Sequence, residues 1–547
     1  VVLLVPLADL PASARSARSG PVRRTVNLFD YDVNFRYVPT VRYTEVSGHP
    51  GEIQRGKEDA VVHPETRMLI DGALVETASG ATFENINPAT EELLGQVTDG
   101  SKADMHQAIV AARRAFDDTD WSTNHAFRQH CLEQLQEGLE AEQEELREQL
   151  ILEAGCPRML TNGPQLDVPL EHALRYPAKL IGEYPWSEDL PDAPDLRGNP
   201  THRRIRREPV GVVGAITPWN FPFEVIINKV GQALATGNTM VLKPAPDTPW
   251  NATLLGRVIA EQTDIPAGVI NIVTCSDHFV GEELTISPLV DAISFTGSTA
   301  VGKRIMEKGA PTMKRLFLEL GGKSATIVLD DADLGIASFM GLAVCTHAGQ
   351  GCAIPTRMLL PRSRYDEGVD LIKSMMEAVP YGDPQDPGVL MGPQISAKQR
   401  TRVLGYIEQG IAEGATLALG GKRPEQFEKG FFVEPTLFTD VDNSMTIAQE
   451  EIFGPVLVCI PFDDDDDAVR IANDSVYGLA GTVFSGSTER SLAVADRIRT
   501  GTVSVDGGAA YMADLPFGGY KQSGVGRQNG IAGFDQYVEI KSIAWPA

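Results

Sequence analysis

GVVGAITPWNFPFEVIINKVGQALATGNTMVLKP, residues 211–244, is the stretch that decides the fold. It opens on a short apolar run, GVVGAI (211–216), turns through Pro and aromatic residues, and closes on a second run, TMVLK (239–243). Further runs rich in β-branched residues follow at VINIV (269–273), DAISF (291–295) and SATIVL (324–329), separated by stretches of helical period. Such alternation predicts parallel strands with crossover helices, and so an α/β domain of the nucleotide-binding type. A second series from about 330 to 515, including FFVEPTLF (431–438), PVLVCIPF (455–462) and GTVSV (501–505), predicts a second α/β domain. Upstream, apolar residues recur at helical spacing over 103–116 and 126–152 among many Glu and Gln, as surface helices covering a sheet would have them. The run DDDDD at 463–467 precedes the helical AVRIAND and reads as a helix N-terminus favoured by the dipole. Consecutive acids without a Gly turn do not converge on one ion, and no metal is expected.

Composition narrows the function classes. At 547 residues the chain has room for about two to four domains, and 42% hydrophobic with 22% charged residues is ordinary for a globular protein. A net charge of −26 and a pI near 4.8 disfavour nucleic acid and anionic membranes as partners. The six cysteines, at 131, 156, 275, 345, 352 and 459, show neither CxxC pairs nor zinc-ligand spacing, and reduced thiols in a cytoplasmic protein are expected. No apolar run approaches the roughly 18 residues of a transmembrane helix. Residues 1–10 are apolar but lack a preceding basic region, and PASARSARSGPVRR (11–24) only faintly resembles a transit peptide. Residues 1–66 hold no sustained period and are expected to form a disordered extension.

Three segments carry candidate chemistry. THAGQGCAIPTR (346–357) sets Cys352 after two glycines and a Gln, where backbone approaches a ligand closely. In LFLELGGKSATIVL (316–329), Glu319 ends an apolar run just before Gly321 and Gly322, placing a carboxylate at a strand end. The third, GAITPWNFPFEVIINK (214–229), holds Asn220, whose amide can donate to a developing oxyanion together with a Cys backbone N–H. Each has an ordinary explanation when taken alone: a packed thiol, a solvated carboxylate, a turn-forming Asn. DAISF also runs into TGSTAVGK (296–303), where small residues bring a helix N-terminus towards a phosphate.

The combination of PWNFP, LELGGKS, GQGC with a following TR, EEIFGPV (450–456) and PFGGYKQSGVGR (516–527) resembles the aldehyde dehydrogenase superfamily over about residues 68–547. The resemblance implies an aldehyde dehydrogenase-like α/β fold: a Rossmann-type dinucleotide domain (67–190 and 210–320), a catalytic α/β domain (321–520), and a small β oligomerisation element (191–209 and 521–547). It implies oxidation of an aldehyde to a carboxylic acid with water and a nicotinamide dinucleotide, through a thiohemiacetal and a thioester. Cys352 is then the nucleophile, Glu319 the general base, and Asn220 with the Cys352 N–H the oxyanion hole. Lys243 would bind the adenosine ribose, Gly297, Ser298 and Gly302 the pyrophosphate turn, and Glu451, Phe453 and Trp219 the nicotinamide half. The tunnel would be lined near Phe221, Val225, Asn228, Tyr511 and Phe517, a mostly apolar set suited to medium aliphatic or aromatic aldehydes, and the assembly would be a homodimer or homotetramer.

The chain departs from the family pattern at informative positions. Pro246, followed by Asp247, stands where NAD-preferring members often carry Glu. NAD remains the expected cofactor, with NADP left open, because no Arg or Lys adjoins Lys243. The adenine-side loop reads TCSDHFVG (274–281) rather than Gly-rich, His347 stands for a common Asn, and Gln528 for a common Glu. A packing or hydrogen-bonding role is expected of His347, since Glu319 already supplies a base. The competing readings are a coenzyme A-acylating dehydrogenase, which generally lacks the Glu; a Cys/Glu thioesterase-type hydrolase, which leaves the cofactor segments unexplained; and a catalytically silent homologue.

Overall fold

In the computed structural model, which describes residues 64–547, the apolar run of 211–216 becomes the strand Val212–Ile216, near the middle of an eight-stranded sheet. Almost all of the expected N-terminal extension, residues 1–63, lies outside the described residues. Thr239–Lys243 and then Ile270–Ile272 add to one side of the central strand, and Ala292–Thr296 and then Arg315–Glu319 to the other, all five parallel. The edges, Met68–Ile70 with Ala73–Val75 and the short Gly524–Val525, are antiparallel. Helices cover both faces of the parallel strands, so their side chains are buried on both sides and read as continuous apolar runs rather than alternations. The helix Pro222–Ala235 is buried along its whole length, which accounts for its largely apolar composition, with Glu224, Asn228, Lys229 and Gln232 as buried polar exceptions.

Chain order reverses between Val212–Ile216 and Ala292–Thr296. At such a switch point the loops leaving two neighbouring strands diverge and open a crevice beyond their carboxyl ends, where α/β sheets bind ligands. The two loops here begin at Thr217 and Gly297.

The second sheet has seven strands, in the order Thr416–Leu419, Thr436–Thr439, Val456–Phe462, Arg357–Pro361, Ala325–Val328, Ala480–Phe484 and Thr502–Val505, parallel except for the first. SATIVL therefore belongs to this sheet and does not continue the first. The fifth parallel strand of the first sheet is instead Arg315–Glu319, and the chain passes from Glu319 directly into the second sheet at Ala325. Of FFVEPTLF only the last part is strand, because Pro435 interrupts the ladder and pairing starts at Thr436.

Helix boundaries follow their caps. Ser101 and Asp104 form a capping box at the start of Lys102–Asp118. The predicted helix over 126–152 is two, His125–Ala141 and Gln143–Ala154, broken at Glu142. Asp464 caps Asp465–Asn473 by accepting from the Asp467 N–H at 2.9 Å, with three further aspartates in the first turn. A three-stranded antiparallel sheet, Val538–Pro546, Pro200–Pro209 and Ser187–Pro194, stands apart from the other two. Its hairpin starts before residue 191. The C-terminal segment joins it only from Val538, since Gly524–Val525 pairs with Arg315–Glu319 and Gly530–Asp535 is helical. Among the described residues no helix is long and apolar enough to cross a membrane.

Candidate active site

Cys352 lies in the loop between the 3-10 segment Met340–Gly349 and the strand Arg357–Pro361. Of the six cysteines it alone is partly exposed; the other five are buried. The loop is held from both ends. Gln350 is fully buried, its Nε2 donating to the His347 and Pro393 carbonyls at 3.0 and 3.2 Å and its Oε1 accepting from the Ile395 N–H at 2.8 Å. On the far side, buried Arg357 donates to the carbonyls of Lys323, Ile471 and Ala472 and to Asn443 Oδ1, all within 2.9–3.0 Å. That is why the TR after the cysteine matters: the guanidinium ties the loop to three other segments.

Glu319 ends its strand 3% exposed, and its Oε1 has no hydrogen-bond partner. Burial drives its carboxyl up to about 8, against the stabilising pull of the Cys352 thiol and the Lys229 ammonium. Burial also pushes the Cys352 thiol well above its usual range, and the facing Glu319 carboxylate adds to the shift. The carboxylate thus keeps the thiol protonated, while the thiol favours the ionised carboxylate. The turn between them is built for close approach: a Cβ on Gly322 would lie 2.5 Å from the Cys352 carbonyl oxygen, and one on Gly321 would lie 2.2 Å from Glu451 Oε2. Glu451 Oε1 accepts the Gly322 N–H at 3.0 Å, and burial raises this carboxyl to about 7.

Asn220 is buried, its Nδ2 donating to the Gln350 carbonyl at 2.9 Å while its own carbonyl accepts from Gln165 Nε2 at 2.9 Å. One amide hydrogen thus orients the side chain and the other is left over. The next-door Trp219 and Phe453 meet edge to face, centroids 5.4 Å apart at 87°, with Phe453 in a left-handed conformation at φ 62°. His347, also left-handed at φ 48°, is fully buried edge-on to Phe221 at 5.7 Å. Neither of its ring nitrogens makes an aligned hydrogen bond, and burial lowers its pKa to about 4. It packs as a neutral ring against Phe221, with the Asn220 backbone as a weak polar partner.

The remaining predicted residues sit at the switch point. The Gly297 N–H bonds to the Glu319 carbonyl at 3.1 Å, which couples the glycine turn to the strand Arg315–Glu319. Ser298 caps the helix Thr299–Gly309, accepting from Val301, and a Cβ on Gly302 would come within 2.7 Å of Leu320. Lys243 pairs in register with Ile216; its stem passes under Gly281 and its Nζ donates to the Pro244 carbonyl at 3.0 Å. The hydroxyls of Thr217 and Thr296, at the ends of the two diverging strands, are buried without partners. Unfilled polar atoms, a capped helix N-terminus and a buried lysine around one crevice fit a phosphate- and ribose-bearing dinucleotide.

Two charged residues that sequence reasoning missed lie on the helix that follows Asn220. Lys229 is buried, donating to Ser294 Oγ at 3.0 Å over the Phe317 ring at 4.6 Å, and burial brings it down to about 7 while Glu319 and Glu224 pull the other way. Glu224 accepts from Asn228 Nδ2 at 2.6 Å and from the Tyr511 hydroxyl, so the expected apolar lining is interrupted by a carboxylate. A Glu within the apolar FPFEVII was the available signal.

Comparison with known proteins follows from this geometry. The model of the aldehyde dehydrogenase family matches residues 74–543. A 3-succinoylsemialdehyde-pyridine dehydrogenase from Pseudomonas sp. is 43% identical over 480 residues, covering 87% of this chain and 98% of that protein. Among solved structures, an aldehyde dehydrogenase of Mycobacterium tuberculosis complexed with NAD+ matches with a TM-score of 0.84 at 42% identity, covering 88% of this chain and 98% of that one. A betaine aldehyde dehydrogenase of Staphylococcus aureus in complex with NAD+ gives 0.85 at 36% identity, covering 88% and 95%. With sequence match and fold agreeing over nearly all of the described residues, the chain belongs to the aldehyde dehydrogenase family.

Proposed function

We propose that this protein oxidises an aldehyde to a carboxylic acid with NAD and water, with Cys352 as nucleophile, Glu319 as general base and Asn220 as oxyanion donor. The observation that carries it is the pairing of the partly exposed thiol with a buried carboxyl whose Oε1 has no partner. A thiol with a raised pKa does not ionise by itself, so attack requires an acceptor for its proton, and Glu319 faces it. As the S–C bond forms, the carbonyl becomes an oxyanion that accepts from the second Asn220 amide hydrogen and the Cys352 N–H. Lys243, Gly297, Ser298 and Gly302 would hold the dinucleotide's adenosine and pyrophosphate, and Trp219, Glu451 and Phe453 its nicotinamide half. When bound, the dinucleotide supplies the hydride acceptor. Before the thioester is hydrolysed, Glu319 releases the thiol's proton to solvent. It then takes a proton from water as the C–O bond forms, and that proton passes to sulfur as the C–S bond breaks, so Cys352 leaves as the thiol.

The two sheets correspond, in this reading, to a dinucleotide domain and a catalytic domain. Association into a homodimer or homotetramer is supported by the edge strand Val538–Pro546, which exposes Ile540, Ile543 and Trp545. Six unpaired thiols suit a reducing, cytoplasmic setting. The test is an aldehyde panel with NAD or NADP, with and without coenzyme A, read at the reduced-nicotinamide band. Reduction that needs only water supports the hydrolytic dehydrogenase. A requirement for coenzyme A identifies the acylating reaction, and absence of reduction under every condition refutes the dehydrogenase reading.

A further inference from the structure

The steps above leave one polar cluster unused. Glu224, in the first turn of the otherwise largely apolar Pro222–Ala235 helix, is 8% exposed. Its Oε1 takes both of its side-chain donors, Asn228 Nδ2 at 2.6 Å and the Tyr511 hydroxyl. The Tyr511 hydroxyl in turn accepts from Gln528 Nε2 at 3.0 Å. Tyr511 packs edge-on against Phe517 at 4.9 Å and sends its buried hydroxyl to the Glu224 carboxylate. Glu224 lies in the first turn of the helix that follows Asn220, whose amide bonds the Gln350 carbonyl two residues before Cys352, so the cluster stands on the approach to the sulfur.

Lys229, the nearby cation, spends its hydrogen bond on Ser294 and lies over Phe317. Among the described residues, Glu224 Oε2 accepts no hydrogen bond. This oxygen is not sealed from solvent, so a ligand that brings a donor can reach it and make a charge-assisted hydrogen bond. Burial raises Glu224 to about 7, so above neutral pH it carries a negative charge that opposes an anionic substrate tail.

We propose that Glu224, presented by Asn228 and Tyr511, determines specificity for the far end of the substrate. It selects aldehydes whose tail ends in a hydrogen-bond donor, ammonium ahead of hydroxyl, over apolar and anionic aldehydes of the same length. The inference rests on the aldehyde-oxidising reading and names its substrate class.

The test measures kcat/KM over a matched series of linear aldehydes ending in methyl, hydroxyl, dimethylammonium or carboxylate. The tertiary ammonium keeps one N–H and cannot close onto the aldehyde. In the wild type the ammonium and hydroxyl members should exceed the methyl one by about tenfold or more, and the carboxylate should fall below it. Glu224→Gln should bring the ammonium-to-methyl ratio towards one. Tyr511→Phe, which removes an internal donor and keeps the carboxylate, should preserve or raise it. Equal rates across the series in the wild type, or an unchanged ratio in Glu224→Gln, overturn the proposal while leaving the dehydrogenase reading intact. If no member is oxidised, that reading fails and the proposal with it. Should Glu224→Gln not fold, the wild-type series and Tyr511→Phe decide the matter.

Discussion

Replacing Glu319 by Gln separates the two halves of the reaction. The carboxyl titrates near 8, so about one-tenth is ionised at pH 7 and about nine-tenths at pH 9. A general base works in its ionised form, and because this pKa is raised, activity is lost as pH falls through 8. Where deacylation limits turnover, the wild-type steady-state rate should therefore rise about tenfold from pH 7 to pH 9. Gln keeps the shape of the side chain but cannot take a proton. The Glu319→Gln variant should lose about 10²- to 10⁴-fold in deacylation and should lose the pH slope as well. The assay is rapid mixing of enzyme, dinucleotide and aldehyde, following reduced nicotinamide. A burst slower than wild type but still close to one equivalent per active site, followed by a nearly flat steady state, shows that hydride transfer survives, with the thiol losing its proton to solvent, while hydrolysis is blocked. Equal loss of burst and steady state, or an unchanged pH slope in the variant, would refute the assignment of Glu319 to the water.

Three further substitutions probe the same site. Cys352→Ala should abolish turnover while leaving dinucleotide binding, measured by calorimetry or fluorescence titration, within a few-fold of wild type; residual oxidation at normal rates would remove the thiol from the mechanism. Gly322→Ala drives a Cβ to 2.5 Å from the Cys352 carbonyl, a backbone atom that cannot swing aside. A shift of about 1 Å in the nucleophile costs on the order of 10²-fold in kcat, with about 1–3 kcal/mol of stability lost in urea denaturation. Arg357→Met strips donors from three carbonyls and Asn443 in a sealed interior, at a cost of about 3–5 kcal/mol. A melting temperature unchanged from wild type would contradict that accounting.

The parallel sheets were legible because strands buried on both faces leave uninterrupted β-branched runs, and the runs at 211–216, 239–243 and 291–295 each fall on a strand. Sheet membership was not legible in the same way. LFLEL and SATIVL look alike as apolar runs, yet the first closes one sheet and the second opens another; the Gly321–Gly322 turn between them is where the chain crosses. A strand's partner depends on contacts far away in sequence, which local composition does not encode. Helix ends behaved differently again, since the break at Glu142 carries neither Gly nor Pro to announce it.

The site divides along the same physical line. Cys352, Glu319 and Asn220 stand in short segments whose glycines, prolines and aromatics mark special backbone, so each could be singled out before any contact was known. Glu224 and Tyr511 could not be paired that way: they lie 287 residues apart, and neither sits in a turn signature. Their pairing exists only because the Pro222–Ala235 helix leaves the switch point beside the nucleophile loop, while the segment carrying Tyr511 returns from the second sheet to the same mouth. The chemistry of the carbonyl is thus written locally, around groups that must be held in one geometry. Recognition of the substrate's tail is written across the fold, where a single Glu at a largely apolar helix position changes which aldehydes fit without touching the motifs that oxidise them.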